Sequence, residues 1–318
     1  MSLLGPGRRS SWLGAGLILL AIAATTSGCV RFGTDTTERS PATIHVDNSG
    51  GADGAPAAVP VPPTSIPPPP AESSDPSTEP GSYRGNLGVQ VLAQYPHDET
   101  AFTQGLEWWG DQLLESTGLE GESTLRLVDP FTGEVSQLMA IDDTLFAEGT
   151  TVVDDRAHVL TWRSQTLLTV DLPTLSPTAT EVEVGAYSGE GWGLCHDGTS
   201  LVMSNGSDQI VFRNPETFAV ERAVNVTLDG QPVSLLNELE CISDQVLANV
   251  WKTNTIMVID AATGLVAATV DATSLVPEGY TDAGDDVLNG IAFNPETGTL
   301  WLTGKRWPVL YEVELVVP

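Results

Sequence analysis

The chain has 318 residues, of which 13 are Lys or Arg and 42 are Asp or Glu, so its formal net charge is -29 at pH 7. This balance excludes nucleic acid as a partner, because phosphate binding requires clustered Lys and Arg. The acidity is typical of a surface adapted for solubility rather than of a binding site. Lysine occurs only at Lys252 and Lys305, so each lysine is a candidate for a specific role.

Residues 1–29 have the organisation of an export signal. Two arginines, Arg8 and Arg9, precede an apolar stretch at 13–24 that is too short to span a bilayer comfortably. The end of the segment, Thr-Ser-Gly-Cys at 26–29, resembles a bacterial lipobox, in which the cysteine becomes lipid-modified. We therefore expect Cys29 to anchor the protein to the membrane at the cell surface, with plain secretion as the alternative.

Residues 30–84 differ sharply in composition from the rest of the chain. The run VPVPPTSIPPPPAESSDPSTEPGS is rich in Pro, Ser and Thr and contains few large apolar side chains. Such a segment cannot bury a core. It predicts a disordered, partly polyproline II tether, which at ~3.1 Å per residue could hold a domain clear of a membrane.

Residues 85–318 predict an all-β domain, because short strand-like runs alternate with turns rich in Gly, Asp, Asn and Pro. A unit of strands and turns repeats five times, and equivalent acidic or amide residues recur at intervals of 42, 43, 46 and 52 residues. These equivalent residues are Asp129, Asp171, Asn214, Asp260 and Glu312. The spacing predicts a five-bladed β-propeller, with a sandwich or barrel as the alternative. The last copy is short, so we expect a strand from the start of the domain to complete it.

The stretch at 145–162 contains an anomalous carboxylate. It reads as two strands joined by a turn at Asp154-Asp155-Arg156, and Glu148 lies among apolar and small residues at the start of the first strand. A buried carboxyl group has a raised pKa and can exchange protons near neutral pH. A solvated Glu at the lip of a loop is the alternative.

We expect the first strand of each of the five repeats to start at the same end of the central channel of the propeller. Polar or aromatic residues occur at all five starts, and glycine lies beside four of them. The five stretches are FTQG at 102–105, FAEG at 146–149, GEGWG at 189–193, LNELE at 236–240 and VLNG at 287–290. One shared site is therefore predicted.

Cys195 and Cys241 could form one disulfide in an exported protein, or could be buried thiols. Both occur in strand-like runs, which favours free thiols. Neither belongs to a CxxC motif, so no structural zinc is expected.

An ordered series of motifs over residues 90–315 resembles the glutaminyl-peptide cyclotransferases, or glutamine cyclotransferases, of the plant and bacterial type. The motifs are YPHDETAFTQGL, ESTGLEGESTLRLVD, LFAEGTTV, LTWRSQT, GEGWGL, LNELECI, ANVWKTN, DVLNGIAF and TGKRWP. The resemblance implies a five-bladed propeller that converts the N-terminal glutamine of peptides or proteins to pyroglutamate and releases ammonia. It implies no cofactor and no metal.

The same resemblance assigns the site residue by residue. It places the catalytic Glu at Glu148, with Asn237 and Lys305 as further catalytic groups. The substrate pocket is assigned to Phe102, Gln104, Trp162, Trp192 and Trp251. The sequence departs from the family pattern at Ala147, where Gly is common, and at Arg306, where an apolar residue is common.

Two other functions are compatible with a propeller of this size. The first is a non-catalytic surface propeller that binds peptides or a partner protein, and the second is a metal-dependent hydrolase such as a lactonase. The joint presence of Glu148, Asn237 and the tryptophans favours the cyclotransferase. We expect a monomer.

Overall fold

The computed structural model describes residues 29–30, 85–177, 182–183, 189–281 and 284–318. The predictions for the leader and the tether concern residues outside these ranges, apart from Cys29 and Val30. The described residues form strands and turns with a single 3-10 turn at Thr273–Leu275, so the all-β prediction is confirmed. None of the helical structure in these ranges is long and apolar enough to cross a membrane.

The strands follow one another in groups of antiparallel neighbours. The chain begins with β1 (Cys29–Val30) and β2 (Gly85–Pro96), and the first group is β3 (Thr103–Trp109), β4 (Gln112–Thr117), β5 (Thr124–Val128) and β6 (Val135–Ala140). The second is β7 (Ala147–Val153), β8 (Arg156–Thr161) and β9 (Thr166–Asp171), whose outer partners are the short β10 (Ser176–Pro177) and β11 (Val182–Glu183). The third is β12 (Leu194–His196), β13 (Leu201–Met203), β14 (Gln209–Arg213) and β15 (Val220–Asn225), followed by a hairpin of β16 (Thr227–Leu228) and β17 (Gln231–Pro232). The fourth is β18 (Leu236–Ile242), β19 (Gln245–Val250), β20 (Thr255–Asp260) and β21 (Val266–Asp271), and the last is β22 (Leu288–Asn294), β23 (Thr299–Gly304) and β24 (Val309–Val316).

The last group is completed from the other end of the domain. Strand β2 pairs antiparallel with β24, from Gly88 opposite Val316 to Pro96 opposite Val309. The first residues of β2 also pair in parallel with β21, which joins the fourth and last groups. The short last repeat is therefore completed by an early strand, as expected. Strand β1 also pairs with β24, which places the backbone of Cys29 beside the end of the domain's last strand.

Neighbouring groups pack against one another in a closed cycle. Strand β3 contacts β7, β7 contacts β12, β12 contacts β18, β18 contacts β22, and β22 contacts β3. Each buried apolar cluster among the described residues spans two neighbouring groups. Representative pairs are Leu114 with Ala157, Leu160 with Met203, Phe212 with Ile259, Leu247 with Leu302, and Leu106 with Trp301.

Glycine allows the first strands to approach closely. A Cβ atom on Gly149 would collide with the backbone of Leu194 in β12, and one on Gly193 would collide with the carbonyl group of Asn237 in β18. A side chain at either position would therefore force the first strands apart at the end where the site is predicted.

The repeated acidic or amide residue has a structural role in three groups. In Asp129, Asn214 and Asp260 the side-chain Oδ1 accepts hydrogen bonds from backbone N–H groups two or three residues further on, at 2.8–3.0 Å. These bonds fix the turn between the third and fourth strands. At these three positions the periodicity in the sequence therefore reflects turn formation, whereas Asp171 accepts from Arg156 and Glu312 accepts from Thr299.

The prediction of free thiols was wrong. Cys195 in β12 and Cys241 in β18 form a disulfide, with their Cα atoms 5.5 Å apart. The strand-like context of each cysteine was read correctly, but β12 and β18 are adjacent first strands of neighbouring groups. The bond therefore joins two groups directly.

Replacing both cysteines with serine should lower the free energy of unfolding by about 4 kcal/mol, because the bond closes a long loop in the unfolded chain. The sequence separation of the two cysteines is 46 residues. Thermal and denaturant unfolding of the variant should match those of the native chain under reducing conditions. Reaction of Cys195 and Cys241 with a thiol reagent in the unreduced native protein would contradict the assignment.

A buried group of acids lies between the first strands. The carboxylate of Glu238 in β18 accepts hydrogen bonds from the backbone N–H groups of Leu106 in β3, at 3.3 Å, and Ile291 in β22, at 2.9 Å. Burial raises the pKa of Glu238 and of Glu240 well above the usual value, and the nearby Glu107 raises both further. Burial also raises the pKa of Glu107 to about 7, although Thr151 donates a hydrogen bond to it.

The pKa shift of Glu240 predicts that this residue stabilises the fold less as pH rises. Its folded pKa exceeds its unfolded pKa, so its contribution is complete below the unfolded value and is lost as pH rises through the folded value. The variant Glu240→Gln should therefore be more stable than the native chain at about pH 8 and should lose that advantage near pH 5. The exposed Glu216→Gln is the control with the same change of charge. An equal effect of both variants on unfolding at every pH would contradict this account.

Candidate active site

Because the first and second strands of each group are antiparallel, the start of the first strand and the end of the second strand lie at the same end of the group. The start of a first strand lies beside the residue that follows the second strand, and one backbone hydrogen bond recurs between them. Its donor and acceptor are Gly118 N and Phe102 O at 2.8 Å, then Trp162 N and Phe146 O, Trp251 N and Leu235 O, and Lys305 N and Val287 O, each at 2.9 Å. Because the same pairing recurs from group to group, these positions lie at the same end of the domain in each repeat.

Bulges in the first strands coincide with the predicted polar residues. The strand register shifts between Thr103 and Gly105, between Ala147 and Thr150, between Leu236 and Leu239, and between Leu288 and Ile291. These intervals contain Gln104, Glu148, Asn237 and Asn289. A bulge redirects a side chain out of the regular alternation of a strand. The irregularity is therefore located where the site needs it.

A cavity of about 260 Å³ opens at this end, and all eight residues predicted to form the site line it. They are Phe102, Gln104, Glu148, Trp162, Trp192, Asn237, Trp251 and Lys305. Three further residues line the cavity. Phe146 lies in the stretch at 146–149 that was expected at the shared site, although it was given no role of its own, whereas sequence reasoning did not place Leu119 and Asp285 there. Phe146 directly precedes β7 as Phe102 directly precedes β3, and this likeness could have identified Phe146 as a wall residue.

Glu148 is buried, with 4% of its surface exposed, and hydrogen bonds fix the backbone at this position. Its carbonyl oxygen accepts a hydrogen bond from Ser116 Oγ at 2.6 Å, and the next N–H, of Gly149, donates to Trp192 O at 2.7 Å. Burial raises the pKa of its carboxyl group well above the usual value, the positive charge of Lys305 opposes this shift, and the negative charge of Glu190 adds to it.

Lys305 is equally buried, and its ammonium group lies 4.7 Å from the ring centroid of Phe102. Burial lowers its pKa to about 8, against the attraction of Glu148 and Asp285. Among the described residues no carboxylate oxygen lies within 4.0 Å of its nitrogen as an ion pair. The cation therefore remains available to a ligand in the cavity.

The amide side chains of the site differ in their partners. Asn237 Oδ1 is buried and has no hydrogen-bond partner among the described residues, while the backbone carbonyl of Asn237 accepts from Ser204 Oγ at 2.6 Å. Gln104 Oε1 receives a long hydrogen bond of 3.4 Å from Asn289 Nδ2, which also donates to Thr103 O at 2.9 Å. Asn289 was expected at the shared site, but it supports Gln104 from behind and does not line the cavity.

Aromatic rings form the walls of the cavity. Trp192 and Trp251 meet edge to face with their centroids 5.5 Å apart, and Phe146 lies 5.4 Å from Trp162. At the rim, Lys252 lies 4.8 Å from the ring centroid of Trp251 and forms an ion pair with Asp285 at 3.2 Å. Such walls exclude water and strengthen electrostatic interactions inside the cavity.

A charged network fixes the part of the site behind Phe102 and Lys305. Glu115 accepts hydrogen bonds from Thr103 Oγ1 at 2.7 Å and Arg126 Nε at 3.0 Å, and its other contact is His97 Nε2 at 3.0 Å. His97 Nδ1 lies 2.7 Å from the carbonyl oxygen of Trp307, in the loop that carries Lys305. Despite burial, Arg126 and His97 lower the pKa of Glu115 to about 2. No role was predicted for this network from the sequence, although His97 and Glu115 belong to motifs that carry the family resemblance.

The arrangement combines a raised-pKa acid, a buried cation and two amides inside an aromatic box. It can bind a small polar group, stabilise negative charge on an oxygen atom and transfer a proton. Within the described ranges, no three His, Cys, Asp or Glu side chains are grouped as metal ligands.

Comparison with known proteins identifies the family. The family model for glutamine cyclotransferase matches residues 70–315. Glutaminyl-peptide cyclotransferase of Arabidopsis thaliana is 39% identical over 232 residues, which are 71% of this chain and 71% of that protein. The crystal structure of Myxococcus xanthus glutaminyl cyclase matches with a TM-score of 0.68 and 37% identity, over 74% of this chain and 99% of that one. The chain therefore belongs to the glutamine cyclotransferase family.

Proposed function

We propose that the protein is a five-bladed β-propeller enzyme that converts N-terminal glutamine of peptides or proteins to pyroglutamate, with Glu148 as the proton shuttle. The observation that carries the proposal is the meeting of Glu148, Asn237 and Lys305 in one aromatic cavity. The names of the two relatives support the reaction class.

The cycle of strand contacts supports the propeller. The five groups each place their first strand against the next group's first strand, and an apolar cluster fills each interface. Pairing of β2 with β24 closes the ring by joining the two ends of the domain. A sandwich would place two sheets face to face instead.

The reaction requires the substrate to fold back on itself. The α-amine nitrogen of glutamine attacks its own side-chain carbonyl carbon, forming a five-membered lactam through a tetrahedral intermediate. A cavity of about 260 Å³ with aromatic walls is suited to one curled glutamine side chain. When the enzyme holds the amine and the carbonyl group in contact, the conformational entropy of the substrate is lost on binding. That loss then no longer adds to the barrier of the chemical step.

Glu148 supplies the proton transfer. In the tetrahedral intermediate its carboxylate takes one proton from the attacking nitrogen and returns it to the departing nitrogen. The carbon–nitrogen bond to the side-chain amide then breaks and ammonia leaves. An α-amine has a pKa of about 7.7–8.0, so a carboxyl group with a raised pKa is better matched to this exchange than an ordinary one.

The remaining polar groups orient the substrate. The ammonium group of Lys305, with a pKa of about 8, donates a hydrogen bond to the carbonyl oxygen and stabilises the negative charge that develops there. The unpartnered Asn237 Oδ1 accepts from a nitrogen of the substrate, which relieves the penalty of leaving a buried acceptor unsatisfied. Gln104 contributes a second amide side chain to orient the substrate.

We further propose that the enzyme is an exported monomer anchored through a lipid on Cys29. The leader at 1–29 and the Pro-rich residues 30–84 support this proposal. Labelled palmitate should enter the native chain in a bacterial host. Equal labelling of Cys29→Ala would contradict the anchor.

The native protein should release ammonia from the dipeptide Gln-Phe, and Glu148→Gln should reduce kcat by at least ~100-fold, because it removes general acid–base catalysis. The substitution keeps the size of the side chain, so unfolding should show that the variant remains folded. The acetylated dipeptide, which lacks a free amine, is the control and should release none.

Two results would contradict the proposal. If the native chain binds Gln-Phe but releases no ammonia over hours, the protein is a peptide-binding propeller. If Glu148→Gln keeps near-normal turnover, Glu148 is not the proton shuttle.

A further inference from the structure

Glu190 connects two walls of the cavity without lining it. Its Oε2 atom accepts a hydrogen bond from Trp162 Nε1 at 2.6 Å and another from Trp192 Nε1 at 3.0 Å. The two tryptophans come from neighbouring groups, since Trp162 follows β8 and Trp192 precedes β12. A single carboxylate oxygen therefore fixes the orientation of both indole rings.

The other oxygen of Glu190 has a separate partner. Arg163 Nε donates to Oε1 at 2.9 Å, and the guanidinium carbon of Arg163 lies 3.6 Å from the ring centroid of Trp162. Arg163 thus covers one face of an indole whose N–H group is held by the same carboxylate. The Arg163 side chain is 66% exposed, so this ion pair alone contributes little to stability.

The charge of Glu190 also affects the pKa of Glu148. Partial burial opposes ionisation of Glu190, but hydrogen bonds from Trp192, Arg163 and Trp162 lower its pKa below the usual value. It is therefore ionised at neutral pH, and its negative charge adds to the burial that raises the pKa of Glu148.

We propose that Glu190 is a positioning residue for the cyclisation: through one oxygen atom it holds Trp162 and Trp192 in the orientation that receives the N-terminal glutamine. This inference rests on the proposed function, and it adds a residue that does not touch the substrate. Loss of the carboxylate would leave two indole N–H groups without their acceptor and would free both rings to rotate.

Two substitutions separate the acceptor atom from the charge. Glu190→Gln retains a carbonyl oxygen that can accept from both indoles, but it removes the negative charge. Glu190→Ala removes both. The exposed Glu120→Ala, beside Leu119 at the rim, is the control for loss of one acidic charge.

Glu190→Ala should raise KM for Gln-Phe by ~10-fold or more, the scale of a lost charge-assisted hydrogen bond, and should change the near-ultraviolet circular dichroism of the tryptophans. Glu190→Gln should keep KM within about threefold of the native value and keep the spectrum. It should also move the acidic limb of the kcat profile to lower pH, because the charge that raises the Glu148 pKa is gone. Glu120→Ala should change none of these quantities.

An unchanged KM in Glu190→Ala would overturn the inference. Equal losses in Glu190→Ala and Glu190→Gln would also overturn it, because the charge and not the acceptor atom would then be required. If the native chain releases no ammonia, the proposed function fails instead. Calorimetric affinity for Gln-Phe then replaces KM, and the same order of the variants decides the role of Glu190.

Discussion

The carboxyl group of Glu148 lies among aromatic rings, where water cannot solvate its charged form and Lys305 supplies the compensating positive charge. The charge on each of these two groups stabilises the charged form of the other, while burial stabilises the neutral form of both. Burial therefore raises the pKa of the acid and lowers the pKa of the cation, so each pKa moves from its usual value in the direction of neutral pH. The proposed cyclisation needs this property, because a proton must pass between two nitrogen atoms of one substrate.

At the end of the domain where the site lies, glycine lets neighbouring first strands approach without a side chain between them. Gly149 and Gly193 allow backbone contact from β7 through β12 to β18, and the disulfide between Cys195 and Cys241 joins β12 to β18. Bulges in the first strands then turn the polar residues toward the mouth. Further along the same strands, Glu238 bridges β18 to β3 and β22 through backbone N–H groups. A regular ladder would have left these side chains in simple alternation between the two faces.

The sequence predicted the all-β class and the repetition of strand groups because turn chemistry repeats, and Asp129, Asn214 and Asp260 form the same kind of turn. It also predicted that the starts of first strands would meet, which is observed for Gln104, Glu148 and Asn237. Trp162, Trp251 and Lys305 were identified through family resemblance, since their position after a second strand becomes meaningful only with the antiparallel register. The disulfide and the hydrogen bonds of Glu190 to Trp162 and Trp192 could not be derived, because they depend on contacts between neighbouring groups. Local strand patterns contain no information on which faces of two groups meet.

The most direct test of the account is a titration of the Glu148 carboxyl group by carbon-13 NMR, assigned from the signal that is missing in Glu148→Gln. We expect the pKa of Glu148 to lie well above the usual 4.5, with burial as the main cause. We also expect this pKa to rise further when Lys305 is replaced by Met, because the opposing positive charge is removed. An ordinary Glu148 pKa that is insensitive to the charge at position 305 would contradict the account.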